Sequence, residues 1–117
     1  MDIVLSKVCD AFICILYKSY LEKRNSGASL IESRNTGDMD DLMQLFPKWS
    51  ESDIMICCEN LEAKGLMWIN SAEDTIWDSE LTDEGIIYME NRFKGRVKNV
   101  VEYIKTIASF IPYIPFG

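Results

Sequence analysis

Residues 2–24, DIVLSKVCDAFICILYKSYLEKR, carry more apolar surface than one neighbour can cover, and that limits the folds open to this chain. Leu5, Val8, Cys9, Phe12, Ile15 and Leu16 recur at three- and four-residue steps, the period of a helix. Ile13, Tyr17, Tyr20 and Leu21 carry the apolar surface round to a second side, so this helix is expected to be packed by several elements. The apolar run from Ala11 to Tyr17, flanked by Asp10 and Lys18, is far short of the about 20 residues that cross a bilayer. With 117 residues the chain has enough length for one domain, 1–117, with a real core, and too little for two.

Punctuation along the rest of the chain sets the order of elements. NSG (25–27) and NTG (35–37) are turn signals around ASLIESR, where Leu30 and Ile31 are expected to seed a short strand. Asp38 can cap a brief helix through Phe46 that Pro47 ends. Ser50, with Asp53 three residues on, begins the next helix, whose Ile54, Cys57, Cys58 and Leu61 form an inward stripe. Gly65 suits its C-terminal stop. LMWIN and TIWDSEL read as two strands around the loop NSAED. Alternation puts Leu66 and Trp68 on one face, and pairing Ile69 with Ile76 sets Trp68 opposite Trp77.

Thr82 caps a last helix over 82–111, with Asp83 and Glu84 in its first turn. Ile86, Met89, Phe93, Val97, Val100, Ile104, Ile107 and Ile111 step along it as one apolar seam, suited to packing or dimerisation. Gly95 is where that helix can kink or admit a close neighbour, and residues 112–117 form a short apolar tail.

Catalytic constellations are missing from the sequence. There is no histidine, no Gly-rich phosphate loop and no nucleophile motif, so the protein is expected not to be an enzyme and to use no cofactor, metal or small-molecule substrate. Cys57 and Cys58 point about 100° apart on a helix and cannot converge on one ion. With no secretory signal in view, Cys9, Cys14, Cys57 and Cys58 are expected to be reduced core residues of a cytoplasmic protein.

The order helix, weak strand, helix, helix, hairpin, helix, with CCENLEAKGLMWIN followed by LTDEGIIYMENRF, resembles the winged helix-turn-helix regulators of the MarR and PadR kind. It is more similar still to the small YjcQ-like bacterial and phage proteins. The likeness is close over residues 50–93 and rests on element order elsewhere. It implies an α+β, mainly helical fold with a two- to three-stranded β-hairpin wing and a long C-terminal helix. Residues 50–64 then take the recognition-helix position and 70–75 the wing tip, and the seam packs on the first helix and on a partner copy in a homodimer.

Charge bears on what such a scaffold binds. The net charge of −7 is uneven: residues 1–91 hold eighteen acids and seven bases, residues 92–117 one acid and five bases. In the recognition position only Ser52 and Asn60 suit base contacts, beside Glu59 and Glu62, and the wing offers Glu73 and Asp74 without a base. Arg92, Lys94, Arg96 and Lys98 are the candidate anion contacts. Three functions therefore stay open. One is a dimeric regulator touching nucleic acid through 92–98. Another is a protein-interaction module whose acidic helix and wing face a basic partner. The third is a membrane-surface protein using 92–117, where TIASFIPYIPFG follows the basic stretch.

Overall fold

The computed structural model describes residues 2–108. Helix α1 (Lys7–Asn25) begins where Ser6 accepts a hydrogen bond from the Cys9 amide at 3.2 Å, so Leu5 lies before the helix rather than within it. Ala11 through Tyr17 are all buried, none more than 6 % exposed. Such complete coverage requires neighbours on every side. They are the short α2 (Leu30–Arg34), α4 (Glu51–Ala63), α5 (Asp83–Phe93) and α6 (Val97–Ile107). A further helix, α3 (Met39–Leu45), precedes α4, and Phe46 after it stacks on Phe12 with ring centroids 4.4 Å apart while Trp49 closes against both rings.

Asp38 and Asp41 form a reciprocal capping box at α3, and Ser50 caps α4 by accepting from the Asp53 amide. Residues 30 and 31 do not form the expected strand. Ser29 accepts from the Glu32 amide and starts α2, so local capping outweighs the β preference of Ile31 and leaves it largely exposed.

A two-stranded antiparallel hairpin, β1 (Met67–Ala72) and β2 (Thr75–Leu81), follows α4. Its first strand runs two residues further than the expected LMWIN, while the second is TIWDSEL as expected, leaving only Glu73 and Asp74 in the turn. Both of these have positive φ, 55° and 61°, the conformation of a two-residue turn matched to strand twist. With this short turn and an irregularity at Asn70/Ser71, Ile69 faces Ser79, Trp68 faces Glu80 and Ile76 faces Ser71. The anticipated Trp68–Trp77 pairing is therefore not formed. Met67 and Ile69 point inward instead, and both tryptophans are substantially exposed.

A one-residue bridge at Asn35 extends the sheet on the other side of β2. The Thr36 amide donates to the Ser79 carbonyl at 2.9 Å, and the Ser79 hydroxyl donates to the Gly37 carbonyl at 2.7 Å. Arg34 adds ion pairs to Glu80 and Asp83, tying α2 to β2 and to the start of α5.

The seam of 82–111 is not one long helix. Lys94 and Gly95 both take left-handed backbone, at φ 58° and 66°, and the chain turns back before α6. The Phe93 carbonyl at the end of α5 accepts from the Arg96 amide at 3.1 Å and from the Asn99 side-chain amide at 2.9 Å. Ile86, Met89, Phe93, Val100 and Ile104 are buried within this chain, with Val97 and Ile107 half-buried beside them. Ile111 and the 112–117 tail lie outside the described residues.

The hairpin is clamped at its base. Gly65, at φ 77°, ends α4, and the Thr82 hydroxyl donates to its carbonyl at 2.6 Å while accepting from the Gly85 amide. A Cβ at Gly85 would sit 2.2 Å from the Leu66 carbonyl oxygen. Gly85→Ala must therefore push α5 off the hairpin base, and a loss of about 1–3 kcal/mol is expected in urea unfolding; an unchanged midpoint would show that this approach relaxes freely.

Candidate binding surface

The inward face of α4 is fixed by sulfur and hydrocarbon. Ile54, Cys57, Cys58 and Leu61 are buried, and the Cys57 thiol lies 3.6 Å from that of Cys9 on α1. Burial, helped by nearby thiol and carboxylate groups, pushes the Cys58 thiol up to about 12, and burial together with Asp10 does the same at Cys14. These protonated thiols behave as small apolar groups.

Two side chains expected to face a ligand are turned onto the fold. Asn60 points its amide at the Cys9 sulfur, 3.5 Å away, and a Glu62 carboxylate oxygen accepts from the Ile69 amide of β1 at 3.2 Å. Ser52 and Glu59 remain exposed on α4, with Glu51, Asp53 and a half-exposed Ile56. Between α4 and the hairpin tip opens a cleft of about 300 Å³, lined by Met55, Glu59, Ser71, Ala72, Glu73 and Asp74. Sequence reasoning identified the acids of this cleft and the outward position of Met55, but not the edge at Ser71 and Ala72, because only the strand register brings that to the helix.

The basic quartet divides. Arg92 forms a two-pronged ion pair with Asp10, at 2.6 and 3.3 Å, and its guanidinium lies over the rings of Tyr88, Phe93 and Tyr103 at 4.8–5.5 Å. Tyr103 donates to the same carboxylate at 2.5 Å. Burial works against the charge on Arg92, yet the hydrogen bond and charge of Asp10 outweigh it and push the guanidinium pKa up. Burial, then the bond to Asp10, raises the Tyr103 hydroxyl to about 12. Arg92 is thus a corrected assignment: it joins α5 to α1 instead of lying open to an anion. Lys94, Arg96 and Lys98 are exposed at the corner between α5 and α6.

A second cleft, about 510 Å³, lies among Ser19, Lys23, Thr36, Asp41 and Gln44, where Lys23 already donates to the Asn35 carbonyl at 2.9 Å. Among the described residues no group of His, Cys, Asp or Glu is arranged to hold a metal ion, and no helix is long and apolar enough to cross a membrane. Comparison with protein families, with curated proteins and with solved structures finds no match.

Four substitutions test how these charges are used. Arg92→Gln strands a half-buried carboxylate and is expected to cost about 1.5–3 kcal/mol, whereas Lys94→Gln and Lys98→Gln should stay within about 0.5 kcal/mol of the parent in chemical unfolding. Asp74→Gly, which relieves a left-handed non-glycine at the turn, should raise stability by about 1 kcal/mol. A lower unfolding midpoint for Asp74→Gly would mean that its carboxylate holds the turn.

Proposed function

We propose that this chain is a non-enzymatic interaction module on a winged-helix scaffold, whose α4 and hairpin bind a basic segment of a protein partner. The order α1, bridge at Asn35, α3, α4, hairpin supports the winged-helix reading, as does the resemblance in residues 50–93. On that reading α4 holds the recognition position and Glu73–Asp74 the wing tip. One observation carries the choice of partner: the cleft between helix and wing is edged by Glu59, Glu73 and Asp74 and, among the described residues, is lined by no Lys or Arg.

A DNA phosphate brought to this cleft meets three carboxylates, and both desolvation and like charge oppose it. Lysine or arginine side chains meet complementary charge there, with Met55 and Ala72 to cover their aliphatic stems. The regulator reading retains only Lys94, Arg96 and Lys98, without Arg92, as a nucleic-acid contact. The reduced, buried thiols accord with a cytoplasmic setting.

Fluorescence anisotropy with a labelled lysine-rich peptide and, separately, a 20-base-pair DNA duplex distinguishes these readings. The peptide is expected to bind at low salt and weaken as salt rises, with Glu59→Lys combined with Glu73→Lys reducing affinity at least tenfold. Tight DNA binding that disappears when Lys94, Arg96 and Lys98 are changed to Gln would replace this proposal with the regulator reading.

A further inference from the structure

The acidic face borders an open sheet edge. The Ile69 amide points away from β2, since it donates to Glu62, and its cross-strand neighbour Ser79 sends its carbonyl the opposite way, to Thr36 and Gly37. Ile69 and Ser79 are therefore a pair without mutual hydrogen bonds. The two-residue turn makes Ala72 and Thr75 a hydrogen-bonded closing pair, so Ser71, next along β1, also directs its backbone N–H and C=O outward, and the irregularity at Asn70/Ser71 leaves Trp77 of β2 as the extra residue. Among the described residues no strand lies along this side of β1; the sheet's extension at Asn35 is on β2.

Helix α4 forms the other wall. Met55, Glu59 and Glu62 follow at i, i+4 and i+7, so they share one face of the helix. Glu62 reaches the β1 edge at Ile69, while Met55 and Glu59 line the cleft that contains Ser71. A carboxylate oxygen thus sits where the carbonyl of an added strand would accept the Ile69 N–H. Main-chain pairing at such an edge supplies affinity, and alternate side chains supply selectivity.

We propose that an extended, basic segment of a partner protein adds as a strand along Ile69–Ser71 of β1, with its cationic side chains directed to Glu59, Glu73 and Asp74. The inference rests on the preceding reading of the acidic face and adds the backbone mode of binding. Glu62 is the placeholder. As the segment docks, the Ile69 N–H passes from the Glu62 carboxylate to a carbonyl of the segment, and the released carboxylate turns to an incoming cation. Extended backbone is required, because a helix pairs its amides and carbonyls internally and has no free row to offer this edge.

Two probes separate strand addition from charge attraction alone: the heptapeptide Lys-Val-Lys-Val-Lys-Val-Lys, and the same heptapeptide N-methylated at every residue, which keeps the charges and removes the strand donors. With the full chain labelled by ¹⁵N, the first is expected to slow hydrogen exchange at the Ser71 amide at least tenfold and to shift the Ile69 amide resonance. The methylated peptide should bind at least tenfold more weakly. Equal affinities with an unprotected Ser71 overturn strand addition and leave the acidic-face reading standing. Absence of binding by either peptide at low salt overturns both.

Discussion

Enclosing α1 is the constraint on which the other elements depend. Seven consecutive buried residues on a helix cannot be covered from one direction, and each neighbour must reach a different part of its circumference. One straight C-terminal helix could cover only a stripe. The turn at Lys94–Gly95 lets α5 and α6 both approach α1, so the apolar repeat that reads as one long seam is spent on two contacts within the chain. Packing of α4 from another side fixes Cys57 against Cys9 and determines which face of α4 remains outside.

Electrostatics completes that enclosure where hydrocarbon stops. Asp10 lies at the edge of the apolar run and accepts from both Arg92 of α5 and Tyr103 of α6. One carboxylate thus joins three helices, and aromatic rings lie against the guanidinium, leaving the pair only partly exposed. Ion pairs of this kind favour one arrangement of helices over others even where their net contribution is modest. The same commitment removes Arg92 from the basic segment and leaves Lys94, Arg96 and Lys98 as its exposed cations.

Local chemistry was legible in the sequence wherever a signal acts within a few residues. Ser50, Asp38, Thr82 and Gly65 announce helix ends because capping is a short-range hydrogen-bond problem, and the stripe from Ile54 to Leu61 follows directly from helical period. Ser29 was equally available but the β-branched Ile31 beside it suggested a strand. Strand register was not legible, since Glu-Asp is an uncommon pair for a two-residue turn and the expected loop was longer; one misplaced turn moved Trp68 away from Trp77. The acids of the cleft could be named beforehand, but not the role of Arg92. Its partner Asp10 is 82 positions away, and nothing in the spacing of either residue points to the other.

The carboxylate of Glu62 on the Ile69 amide also bears on how copies of this chain avoid one another. An open strand edge invites self-pairing, and a charged side chain laid across it is a common safeguard. Net repulsion at −7 adds to that protection near neutral pH. That repulsion falls as the chain is acidified toward its isoelectric point of about 4.5. Colloidal behaviour in mild acid thereby comes to rest on the Glu62 side chain that covers this single strand edge.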